Sequence, residues 1–171
     1  MANLAFRKVT AKDVDEMAAI VADAFVDYRA FAPTGWLPPP ASEQVGILQR
    51  WIANECFWGE VASDDSSIAG HASFIPATRH SSHAVADPRL AHLGHLFVRP
   101  RYWGAGVARS LLTRATAAAA DRGFVSMRLF VMEGQTRARH FYAREGFAAA
   151  GEPFDPGLGL SALEYRRRLD A

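Results

Sequence analysis

Midway along the chain, an apolar run ends at Pro100 and is followed by Arg101-Tyr102-Trp103-Gly104-Ala105-Gly106-Val107-Ala108 and then an alanine-rich stretch. Glycines at such a point let the backbone approach a ligand with no Cβ in the way. If the alanine-rich stretch is a helix, the free amides of its first turn and its dipole favour a phosphate or pyrophosphate. Arg99 and Arg101 add full positive charge beside them. The plainer alternative is a helix start whose glycines serve packing. Two better-known phosphate patterns fail. The dinucleotide fingerprint lacks its third glycine, where Arg109 stands, and the phosphate loop lacks Gly-Lys-Ser/Thr.

Other residues with chemistry to offer are histidines. His92 and His95 lie just ahead of the glycine loop, and His80 and His83 repeat the same spacing further upstream. A histidine titrates near neutral pH and could serve as a general base, but it could equally be a packed side chain. The spacing also raises a metal site. His80 and His83 fall in a loop-like stretch with neither cysteine nor paired carboxylate to complete a set, so no metal is expected. Cys56 is the only cysteine, which excludes a disulfide within the chain and a multi-cysteine zinc site. Glu133 is a further possible base, and His140 reads as surface.

These residues need elements to position them. Leu4 to Val9 suggests an opening strand. Thr10 or Asp13 caps a helix carrying Val14, Met17, Ala18, Val21 and Phe25 at helical spacing. Proline and glycine interrupt regular structure from Phe31 to Pro40. A second helix runs from Ser42 to about Glu55, followed by strands over Phe57 to Ala62 and Ile68 to Ile75 about a turn at Asp64 to Ser67. Thr78 to Arg89 reads as a loop and Leu93 to Val98 as a strand. Gly106 to Arg122 reads as a helix closed by Gly123. Strand Ser126 to Val131, helix Thr136 to Glu145 capped by Gly146, and strands Phe147 to Ala150 and Leu160 to Leu169 complete the order. Leu93 and Leu96 are three apart although a strand face repeats every two residues, so a bulge is expected between them, and it would bring His92 and His95 to one face. The alternation predicts an α/β fold, one domain over 1–171, with a mixed sheet of six to seven strands and about four helices on both faces.

A chain of 171 residues can bury a proper core. Its 19 basic and 18 acidic residues nearly cancel, so charge gives no case for nucleic acid. No apolar run is long enough to span a bilayer, and the first residues lack the apolar region of a secretory signal; a cytoplasmic location is the expectation.

Two segments carry a family resemblance. Arg101-x-x-Gly104-x-Gly106-Val107-Ala108 resembles the Q/R-x-x-G-x-G/A motif of the GNAT superfamily of N-acetyltransferases. Gln135-Thr-Arg-Ala-Arg-His-Phe-Tyr-Ala-Arg-Glu-Gly-Phe147 resembles its second signature, N-x-x-A-x-x-F-Y-x-x-x-G-F, with Gln135 where the family often has asparagine. Leu93 to Pro100 is similar to the family's fourth strand, and Phe6 to Asp13 and Glu164 to Leu169 are similar to its ends. The resemblance implies a mostly antiparallel, splayed sheet with acetyl-coenzyme A wedged between the fourth and fifth strands. It implies that Gly104, Ala105, Gly106, Val107 and Ala108 hold the pyrophosphate with Arg101 nearby. It further implies that Phe97, Val98 and Gln135 meet the pantetheine arm. Tyr142 takes the position from which a phenol can protonate the departing thiolate, although core packing beside Phe141 is its other reading. His92 stands where the family often has a carboxylate base; His95, Glu133 or a water remain open for that role.

The acceptor side is implied to be the first helices and the loop between them. Phe31 and Trp36 are the candidate contacts there, with Asp27 or Glu43 as ammonium partners and Trp51 as core. A rival use for these aromatics is a homodimer interface. The function implied is acetyl transfer to a primary amine of a small molecule or peptide. The alternative is a catalytically silent coenzyme A-binding sensor.

Overall fold

In the computed structural model, the described residues are 4–64, 66–77 and 88–169. Histidines 80 and 83, and most of the expected loop 78–89, lie outside them. Eleven elements follow in the order β1 (Ala5–Lys8), α1 (Val14–Asp27), α2 (Ala41–Ile52), β2 (Trp58–Ser63), β3 (Ile68–Pro76), β4 (Leu90–Val98), α3 (Val107–Asp121), β5 (Ser126–Met132), α4 (Thr136–Arg144), β6 (Ala148–Phe154) and β7 (Ala162–Arg168). The strands form one seven-stranded sheet in the order β1-β2-β3-β4-β5-β7-β6. Every pairing is antiparallel except β4 with β5, which is parallel.

Helix α1 starts where the sequence asks it to. Asp13 receives hydrogen bonds from the Thr10 amide at 2.8 Å and hydroxyl at 3.0 Å, and Arg7 clamps the same carboxylate with two bonds of 2.7 and 2.8 Å. The Arg7 guanidinium holds the Asp13 carboxyl down at about 2, with the Thr10 bonds adding to it. The helix then buries Val14, Met17, Ala18, Val21 and Phe25, together with Ile20, along the expected stripe. Helix α3 buries Leu111, Leu112, Ala115 and Ala119, and Gly123 ends it at φ +85.

Helices cover both faces. One face packs Ala72, Phe74, Ala91, Leu93, Met127, Leu129 and Val131 against α3. On the other, α1 and α2 pack on Val61 and Ile68, and the residues after α1 pack on Met132, Leu160 and Ala162. Three boundaries differ from the sequence expectation by three residues or more. Strand β4 begins at Leu90 because its first four residues, Leu90 to Leu93, pair with Ser126 to Leu129 of β5. Strand β6 continues past Ala150 through an irregularity to Phe154, while Phe147 turns into the core instead of starting the strand. Helix α2 stops at Ile52, where the Ala53 amide bonds back to the Gln49 carbonyl and the Asn54 amide to that of Trp51.

Candidate active site

Beyond Leu93, β4 and β5 no longer pair, while β4 continues to pair with β3 as far as Val98. The sheet therefore opens between these two strands. At the outer end of the opening lies the glycine loop. Gly104 and Gly106 adopt φ of +82 and +80, which only glycine takes without strain, and nothing lies within 4 Å of where a Cβ would stand on either. Val107 starts α3 directly after them, so first-turn amides face this space. The arginines beside it are partly committed. Arg99 bonds the Ile68 carbonyl at 2.9 Å and pairs with Glu16 at 3.1 Å, and Arg101 donates to the Ser67 hydroxyl. Trp103 donates its indole N–H to the Val98 carbonyl at 2.8 Å, with Arg137 of α4 3.9 Å above its ring. A cleft of ≈ 230 Å³ separates this loop from α1, with Asp23 and Asp27 on one wall and Val98, Arg99 and Trp103 on the other. Asp27 thus lines the cleft beside the glycine loop.

Helix α4 follows β5 and carries Tyr142, with Gln135 just ahead of its first turn. The Tyr142 ring sits between Phe141 and Phe147, at centroid distances of 5.2 and 5.8 Å. Burial pushes its hydroxyl pKa upward, and Tyr28 adds to the shift. The phenol therefore stays protonated at neutral pH. Tyr28, at the end of α1, is buried too; desolvation raises its pKa while the Gln135 side chain opposes the shift. Gln135 also accepts the Met132 amide at 3.4 Å. Tyr28, just past α1, was not singled out by sequence, because its place near Gln135 and Tyr142 depends on how α1 packs.

The bulge expected near Leu93 is present. Ser73 pairs with His95 and Phe74 with Leu93, leaving Gly94 as the extra residue. His92 and His95 consequently both meet Trp51, with ring centroids 5.9 and 4.9 Å away. A Cβ on Gly94 would fall 2.1 Å from the Trp51 ring, so this approach requires glycine. Trp51 was expected in the core; it is only half-buried and forms a wall over the two histidines. His95 lies 2.9 Å from the Ser73 hydroxyl through Nδ1, and burial lowers its pKa to about 4. His71 stands 5.9 Å from the His95 ring, and burial, followed by His95, lowers its pKa to about 3. Neither nitrogen of His71 makes a hydrogen bond of good geometry, although the main chain of Met17 lies close. Arg128 of β5, fully buried, completes the group: its Nε donates to His92 Nδ1 at 3.3 Å. His71, Ser73 and Arg128 were not singled out by sequence, because each comes to His92 or His95 from a neighbouring strand.

The loop after α1 lies over the same opening. Phe31 packs so tightly on Gly134 that a Cβ there would come within 2.2 Å of its ring. Trp36 stacks on Tyr28 at 6.4 Å and donates its indole N–H to the Leu158 carbonyl at 2.7 Å. Both are half-buried against their own chain. Glu133, Glu43 and His140 are exposed, and Glu133 lends its carbonyl to Arg139 at 3.1 Å. Among the described residues no cluster of three or more His, Cys, Asp or Glu could hold a metal ion. No helix there is long and apolar enough to cross a membrane.

The pattern of the acetyltransferase (GNAT) family matches residues 21–147, which hold the opening, the glycine loop and α4. The chain belongs to this family. An uncharacterised N-acetyltransferase of Mycobacterium tuberculosis is 29% identical over 149 residues, spanning 81% of this chain and 85% of the relative. The ribosomal-protein-alanine N-acetyltransferase of Brucella melitensis shares the fold with a TM-score of 0.73 and 20% identity, covering 97% of this chain and all of its own (100%). The yncA protein of Salmonella typhimurium, solved with its cofactor acetyl-CoA, superposes with a TM-score of 0.74 at 17% identity, covering 99% of this chain and 96% of its own. GNAT membership carries the general activity, acetyl transfer.

Proposed function

We propose that this GNAT protein transfers the acetyl group of acetyl-coenzyme A to a primary amine, on a small molecule or a protein, by direct attack within a ternary complex. The observation that carries the reading is the opening between β4 and β5, with a glycine cradle at its outer end and the Tyr142 phenol within. The residues present fit the donor. Unencumbered space around Gly104 and Gly106, backed by the start of α3, suits a pyrophosphate. Backbone groups of Phe97 and Val98 lie on a strand segment that β5 leaves unpaired, where the pantetheine arm could bond, with Gln135 opposite. The Val98 carbonyl is already taken by Trp103, so the contribution of that residue would come through its amide. Arg101, held by Ser67, would act through its charge at a distance.

Bound acetyl-coenzyme A supplies the activated thioester carbonyl. Tyr142 then gives a proton to the leaving sulfur, and the β4 histidines His92 and His95 are the candidates to take one from the amine. Phe31 and Trp36 would line the acceptor side, since their loop reaches the end of β5 and the start of α4. The bond from Trp36 to Leu158 favours this use over a subunit contact, because the indole is already fixed within its own chain. The test is thiol release from acetyl-coenzyme A across a panel of small amines and peptides with free amino groups. Turnover with at least one primary amine is expected. Tight coenzyme A binding with no turnover on any acceptor would instead point to a silent sensor.

A further inference from the structure

The bond between Arg128 and His92 has a consequence for the proton chemistry of this face. A guanidinium has only donors to offer and stays charged in a protein. Its Nε–H points at His92 Nδ1, with the two strands in register so that His92 and Arg128 are paired residues. That nitrogen must therefore present a lone pair, and the proton of the neutral ring must sit on Nε2. Adding a second proton would have to occur at Nδ1, against the guanidinium itself. The ring has little freedom to turn away: Phe130 lies 4.7 Å from it on one side and Trp51 5.9 Å on another, while Arg128 also sits 5.0 Å over the Phe130 ring.

We infer that Arg128 is a positioning residue that holds His92 as a neutral hydrogen-bond donor through Nε2–H, so that His92 is not the general base. This rests on the acetyltransferase reading for its role and on geometry alone for its chemistry. Among the described residues, the charged and titratable groups facing the pair are His95 on β4 and, behind Arg128, Glu164 and Arg166 on β7. Glu164 favours the charged guanidinium and Arg166 opposes it; neither turns the guanidinium into an acceptor. In this state Nδ1 accepts from Arg128 and Nε2–H is a donor. Proton acceptance is left to His95, whose Ser73 partner can either donate to or accept from Nδ1, because a hydroxyl rotates.

The decisive measurement is the nitrogen NMR spectrum of the intact protein labelled at histidine, with the His92 signals assigned by their loss in His92→Gln. We expect Nδ1 to have the unprotonated, pyridine-like shift and Nε2 the protonated one, with no titration of this ring from about pH 8 down to its ordinary value of ~6.5. In Arg128→Met the same ring should take up its second proton at a higher pH than in the parent. A wild-type His92 carrying its proton on Nδ1, or forming an imidazolium near neutral pH, overturns the inference even if Arg128→Met cannot be folded. In kinetics, any imidazole-range limb in kcat/KM against pH should survive in His92→Gln at a lower rate; its disappearance would also overturn it. If the protein proves to have no acetyltransferase activity, the spectrum still decides the tautomer, so the two readings fail separately.

Discussion

Along β4, Ala91 and Leu93 turn toward α3 and bury among Leu111, Leu112 and Ala115, while His92 and His95 turn toward α2 and meet Trp51. Neighbouring strands repeat the division. In β3, Ala72 and Phe74 join the α3 core as His71 and Ser73 face His95; in β5, Met127 and Leu129 join it as Arg128 faces His92. One face is thus assembled from apolar groups whose burial stabilises the fold. The other buries imidazoles and a guanidinium, which cost free energy to desolvate and are retained only where their partners compensate. The same strands supply stability on one side and, in the proposed mechanism, proton chemistry on the other. Tyr142 links the two sides, since its ring packs with the α3-side core and its hydroxyl senses Tyr28.

That division can be broken most sharply at Tyr142. Tyr142→Phe should lower kcat by about 10²–10⁴-fold, the usual scale for a positioned acid, while coenzyme A affinity measured by calorimetry stays nearly unchanged. Equal losses in both would place the phenol in packing alone.

Next in size is a cut into the apolar face. Leu111→Ala, at a fully buried position, should lower the free energy of unfolding by about 2–5 kcal/mol in denaturant melts. Its kcat well below the melting temperature should remain that of the parent. A comparable loss of kcat would mean the two faces are coupled.

The smallest effect belongs to the histidine face and depends on pH. The pKa of His71 falls from 6.5 to about 3 on burial, so below pH 6.5 the unfolded chain binds a proton that the native ring refuses. Stability must therefore decrease as pH falls from 6.5 toward 3, with His95 adding to the trend from 6.5 toward about 4. His71→Gln removes one of these groups and should flatten the fall in melting temperature between pH 7 and 5, by up to roughly 2 kcal/mol in stability. A variant as acid-sensitive as the parent would show that His71 is protonated in the native state.

Much of this was legible in the residues. Gly123 and Gly146 end their helices at φ +85 because the chain needs a left-handed residue there, a demand written at a single position. The offset of Leu93 from Leu96 announced the Gly94 bulge, since a period of two tolerates no third residue without one. The start of β4 was less legible. Leu90, Ala91 and His92 follow Pro88 and reveal themselves as strand only once β5 lies beside them. Strand β6 was hidden for a related reason: Gly151 and Pro153 look like a turn, yet the edge strand carries them through an irregularity to Phe154.

The sequence by itself determined the helices, the glycine cradle, the bulge and the pairing of two signature segments, because each is set by residues close together along the chain. Only the tertiary structure decided which side chains share the histidine face. Trp51 comes from α2, His71 and Ser73 from β3 and Arg128 from β5, and all reach His92 or His95 through strand register and helix packing. Register depends on contacts between segments far apart in sequence, so no local pattern near His92 could disclose that a buried guanidinium would meet its ring.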